Sequence, residues 1–211
     1  MRRLLTLLAL ASTACRAPKQ PAMAAPPPDE RPLAAFAAQR VAVAPAQRLR
    51  LADSAAWGAQ VASPRDYLGA LDSAFSAALA ERGMGSAWAL PADVERAARR
   101  NAAYAADPHA LAVGALVPRR TPPPVDLTEP LASQLRTLVA LADARYAFVP
   151  VELRFEKGAG AGRAVVHVAL LDARAAQVTW SGDVAGDTAS TLSPALAASA
   201  AVRLADLIVA P

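Results

Sequence analysis

The chain has 211 residues, enough for one domain with a real core plus extensions. Hydrophobic residues make up 55% but aromatics only 5%, so the core is expected to be helix-rich and built of small side chains. The 22 basic residues fall to 20 without Arg2 and Arg3, against 18 acidic ones scattered among them, which excludes a nucleic-acid footprint; a lone Cys15 excludes an internal disulfide.

Residues 1–14 read as an export signal. Arg2 and Arg3 form a positive n-region, and Leu4 to Ala11 is an apolar stretch too short to span a bilayer. Ser12-Thr13-Ala14 offers small residues before a cut. The segment resembles a bacterial lipoprotein signal, with Ser12 standing where the usual motif has leucine. That resemblance implies a lipid on Cys15. Arg16, in place of the aspartate that retains lipoproteins in the inner membrane, implies the periplasmic face of the outer membrane. Ser12-x-Ala14 also suits ordinary secretion, which would leave Cys15 a free thiol and the protein soluble in the periplasm or secreted.

Residues 15–39 are then the lipidated cysteine and a Pro/Ala-rich tether. Pro18, Pro21, Pro26, Pro27, Pro28 and Pro32 leave too little apolar surface to fold. Residues 40–211 form a single α/β domain. Arg40 to Pro45 reads as the first strand. Ser63 caps a helix, Pro64 takes its first position, Asp66 closes a capping box, and Gly83 stops it. Tyr67, Leu68, Leu71, Phe75, Ala78 and Leu79 mark its apolar face. Ala87 to Leu90 is a short strand, and a second helix runs from Pro91 to about Ala105, with Arg99 and Arg100 on its polar side.

Gly114 to Glu129 breaks the pattern. Prolines 118 and 122–124 surround Arg119 and Arg120, so an exposed loop is expected; loops of this length are functional or disordered. Thr128 and Pro130 open a third helix, with Leu131, Leu135, Leu138, Val139 and Ala142 buried.

Three strands follow. Val149, Val151, Leu153 and Phe155 alternate with Glu152, Arg154 and Glu156, as on one apolar face, with a bulge or sheet edge at Pro150. Gly158 to Gly162 is a hairpin connection. Ala164 to Leu171 suits a central strand covered on both faces. Val178, Trp180 and Val184 define the third strand, with a twist or bulge at Gly182. The helices flanking this unit are free to pack on one of its faces. Ser193-Pro194 starts the last helix, with Leu196, Ala200, Leu204, Leu207 and Ile208 inward. The expected fold is a mixed sheet of about five strands covered by helices, in the order β-α-β-α, loop, α-β-β-β-α.

Val41-Ala42-Val43-Ala44-Pro45 before a helix ending in Ala80-Glu81-Arg82-Gly83, and Leu170 to Gly182 with its Leu-x-Asp and Val-x-Trp-x-Gly pattern, resemble the α/β domain shared by the TolB N-terminal part, the curli-secretion lipoprotein and the lipoproteins that activate penicillin-binding proteins. Ala175 and Ala176 replace that group's Thr-Gly turn. The resemblance implies a TolB N-terminal-like fold and a non-enzymatic envelope protein that acts by binding proteins.

The chemistry-bearing residues support no reaction. His109 and His167 have no Cys, His or acid at ligand spacing, so no metal is expected. No Gly-x-Ser-x-Gly elbow and no phosphate-binding loop is present, so neither a cofactor nor a small-molecule substrate is expected. The expected function is a lipid-anchored periplasmic protein that binds partners in envelope assembly or maintenance, through the 114–129 loop with Arg119 and Arg120 as polar anchors. A subunit of an outer-membrane secretion complex is the alternative. A periplasmic hydrolase would need His109 or His167 bonded to an acid beside a serine in a cleft.

Overall fold

The computed structural model describes residues 31–51, 57, 60–118, 125–157 and 160–210. Among them the elements are β1 (Val41–Val43), β2 (Leu49–Arg50), α1 (Pro64–Glu81), β3 (Trp88–Ala89), α2 (Pro91–Arg100), α3 (Leu131–Leu141), β4 (Tyr146–Lys157), β5 (Gly162–Asp172), β6 (Gln177–Ala189) and α4 (Pro194–Asp206). All six strands join one sheet in the order β3-β1-β4-β5-β6, with β2 beside β4. β1 runs parallel to β3 and β4, and β2 parallel to β4, while β4, β5 and β6 are antiparallel. The mixed, helix-covered α/β sheet is therefore as expected. The sixth strand, β2, is an addition. Two residues are too short to show a period, and they lie along β4 at Leu153 and Arg154, beyond the stretch at 146–148 that β1 occupies.

Helices cover both faces of the sheet, not one. Leu71 and Phe75 of α1 and Leu196 and Leu204 of α4 share one core with Phe148, Val166 and Leu170. Val94 and Ala98 of α2 and Leu131 and Leu135 of α3 share the other with Ala147, Val149, Ala169 and Leu171. Phe75 stacks on Phe148 at 5.3 Å between ring centres, and Trp88 closes on the same ring at 5.6 Å. Burying each such ring contributes about 2–3 kcal/mol.

The run from Val149 to Phe155 departs from its expected single face. The pairing with β5 slips between Pro150 and Glu152, leaving Val151 as the extra residue. A bulge resets the two-residue alternation. Val149 and Val151 thus face the α2/α3 side, whereas Leu153 and Phe155 face the α1/α4 side. Pro150, which has no amide to donate, sits at that irregularity. In β6 the slips fall at Thr179 and near Gly186, not at Gly182. Gly182 instead leaves room for the Trp180 indole, whose ring atom would stand 2.7 Å from a Cβ there.

Two helix ends also differ. Ser63 is extended ahead of Pro64, but its side chain makes no capping bond, so the expected box with Asp66 is absent. α2 stops at Arg100, short of Ala105, where the Asn101 backbone N–H donates to the Ala98 carbonyl and its side-chain Nδ2 turns back to the Ala97 carbonyl at 2.8 Å. Gly83 ends α1 at φ +76, as its lack of a Cβ allows.

Candidate functional site

β1 leads by way of β2 into α1 on one face of the sheet, and β3 leads into α2 on the other. A crevice opens where neighbouring parallel strands send their chains to opposite faces, beyond the strands' carboxyl ends. Here it is a cleft of about 770 Å³. Its floor is the chain leaving β1. The Ala46 amide donates to both oxygens of Asp72 on α1, at 2.9 and 3.2 Å. Gln47 builds the rim. Its Nε2 donates to the Pro45 and Pro108 carbonyls at 2.6 and 2.8 Å, and its Oε1 accepts the Leu111 amide at 2.9 Å. The rim residue Asp107 accepts the His109 amide at 3.0 Å.

Electrostatics single out Asp72. Burial pushes its carboxyl up to about 7; the Ala46 amide pulls it down, and the charge of Glu95 pushes it further up. Glu95 stands 3.3 Å from His109 Nε2 and 3.2 Å from Arg99. Asp72 has no cationic partner among the described residues.

Sequence reasoning passed over Asp72. The signal available was an acid set between Leu68, Leu71 and Phe75, beside the apolar stripe of a helix.

A second polar region lies on the sheet, on the side that α2 and α3 cover only in part. Glu152 on β4 pairs in register with His167 on β5, which pairs with Asp183 on β6. His167 Nδ1 donates to Asp183 at 2.7 Å, and Arg154 donates to the other Asp183 oxygen at 2.8 Å. Glu156 joins Arg154 to Arg163 at 3.1 and 3.0 Å. Burial raises the Asp183 carboxyl, but Arg154 and His167 outweigh it and hold it below the ordinary carboxylate range. Burial likewise raises Glu156, and Arg163 and Arg154 bring it below its ordinary value.

Glu152 is different. Its side chain is fully buried and neither oxygen accepts a hydrogen bond from a described residue. Among the described residues Arg48 and Arg50 balance it, at 3.4 and 3.7 Å, each about half exposed.

Cys15, Arg119 and Arg120 lie outside the described residues. The described ends of the 114–129 loop are anchored, which corrects the expectation of a wholly exposed segment. Leu116 and Leu127 are buried in the α2/α3 core. Val178 donates to the Val125 carbonyl at 2.8 Å, Leu127 donates to that of Ala176 at 2.7 Å, and Asp126 bridges to Gln177. Apolar residues outside the prolines make these roots.

The geometry bears on the hydrolase alternative. His109 meets Glu95 in a cleft that also holds Ser73 and Ser76. No hydrogen bond joins His109 to either hydroxyl among the described residues, and Ser76 donates to the Asp72 carbonyl at 2.7 Å. No cluster of three metal-ligating side chains occurs among the described residues, and no helix there is long and apolar enough to cross a membrane.

No protein-family model and no curated protein matches the chain. Among solved structures it is similar to the PelC dodecamer from Paraburkholderia phytofirmans, at 17% identity and TM-score 0.39, over 83% of this chain and 91% of that one. It is also similar to E. coli LpoB, at 10% and 0.37, over 90% of this chain and 85% of that one. The C-terminal domain of LpoB from Salmonella enterica matches at 13% and 0.34, over 74% of this chain and 93% of that one.

Proposed function

We propose that this is a lipid-anchored protein of the outer membrane's periplasmic face, with a TolB N-terminal-like domain, that binds a partner protein and catalyses no reaction. The lipid on Cys15 fixes one end and the residues before Leu33 set the reach; the expected tether to residue 39 is too long, because Leu33 is buried in the α1/α4 core with its amide on the Leu207 carbonyl. The folded domain presents the contact. The observation that carries this reading is the charged region of the sheet. Arg48, Arg50, Arg163 and Asp183 are exposed or half-exposed there, spread from the β2 segment across β4 and β5 to the edge strand β6. Charges of both signs, fixed in cross-strand order, suit a partner of complementary pattern. Arg119 and Arg120 are further candidate anchors; the described residues that follow them, Val125 to Leu127, pair with the start of β6.

The test is site-specific crosslinking in intact cells from a photoreactive residue at Thr179, with the full chain. A discrete crosslinked partner that is lost in Arg48→Glu/Arg50→Glu and in Arg119→Glu/Arg120→Glu, with membrane attachment intact, supports the reading. A crosslinking pattern indifferent to all four charges contradicts it.

A further inference from the structure

We propose that the cleft between α1 and α2 binds a short zwitterionic peptide, its ammonium end at Asp72 and its carboxylate end at Arg65. The proposal does not depend on the sheet contact described above, which lies on a different part of the domain.

The first argument is the unmet charge of Asp72. A carboxylate offers about four acceptor positions, and the single Ala46 amide leaves most of them open to the cleft. No cation pairs with Asp72 among the described residues, and the like charge of Glu95 stands near it. Glu95 is already committed to His109 and Arg99, and Asp107 to its own turn. A ligand ammonium supplies the missing countercharge at Asp72, which is more buried than the exposed Asp107. Two charges brought together out of water attract more strongly than in bulk solvent.

The second argument is Arg65. It lines the same cleft from the first turn of α1, is exposed, and has no side-chain partner among the described residues. Seven residues separate it from Asp72, so both lie on one face of α1, roughly 10 Å apart along the axis. A fully extended chain of three residues also spans roughly 10 Å. The positive end of the α1 dipole lies at the Arg65 end and favours a carboxylate there. Between the two charges the wall is Leu68 and Gly69, apolar and without bulk. A Cβ on Gly69 would meet nothing within 4 Å.

The charged groups facing Asp72 are Glu95 from α2, Asp107 and His109 from the rim, and Arg65 from α1 itself. Asp72 must be ionised to hold an ammonium, so affinity rises with pH through neutrality.

The probe is trialanine, titrated calorimetrically into the full chain. One molecule should bind saturably. N-acetyl-trialanine amide, which lacks both charges, and alanine, which cannot span the two anchors, should each bind at least roughly tenfold more weakly. Asp72→Asn keeps an acceptor for Ala46, and Arg65→Gln alters an exposed side chain; each should cost roughly tenfold in affinity. Gly69→Trp should fill the cleft and abolish binding. The proposal is overturned if trialanine does not bind saturably, if the capped peptide binds as well, or if Gly69→Trp leaves binding unchanged.

Discussion

The Ala46 amide donates to both carboxylate oxygens of Asp72, so the middle of α1 is tied to the chain leaving β1. That tie holds a carboxyl whose ordinary value of 3.8 is raised to about 7, first by burial. The native state therefore binds more protons than the unfolded chain between those two values. The contribution is fully present below the unfolded value and is lost as pH rises through 7. Asp72→Asn keeps an acceptor for Ala46 and removes the charge. Urea melts at about pH 5 and about pH 8 should show the variant gaining roughly 2 kcal/mol relative to wild type at the higher pH, allowing for solvent screening. Equal differences at both pH values would mean that Asp72 does not titrate in this window.

Glu152 gives an asymmetric expectation. A buried carboxylate without a hydrogen bond is poorly repaid for its lost hydration. Glu152→Met should be neutral or stabilising. Arg48→Ala/Arg50→Ala leaves the charge buried and unbalanced, and should cost about 3 kcal/mol by chemical denaturation. The opposite ordering would mean that the carboxylate itself holds β2 against β4.

The turn between β5 and β6 carries a local strain. Ala176 sits at φ +53, in the left-handed region that favours glycine. Ala176→Gly removes the Cβ clash but adds freedom to the unfolded chain. The net gain should be roughly 0.5–1 kcal/mol, read as a rise of about 2 °C in Tm. A fall in Tm would show that the Ala176 methyl, which packs against the α2/α3 core, contributes more than the strain costs.

Much of this fold was legible because period and punctuation agreed. Pro64, Pro91 and Pro194 each take the first helical position, and Gly83 ends α1. In α3 the buried Leu131, Leu135, Leu138 and Val139 were readable from spacing, whereas Ala132, also buried, was not. What escaped depends on tertiary partners. The β4 bulge swaps the facing of Leu153 and Phe155 relative to Val149 without breaking their written alternation. β2 is too short to carry a pattern. The cleft joins Gln47, Asp72, Glu95 and His109, which stand far apart in the chain and carry no motif. Only packing brings them together, so only the structure shows them as a site.

The account rests on an exported domain tethered by lipid, and mass spectrometry of the mature N-terminus in the cell's membrane fraction tests it most directly. The predicted result is a chain beginning at Cys15 and carrying the mass of a diacylglyceryl group on its sulfur. An unmodified Cys15, or a chain retaining residues 1–14, would contradict it.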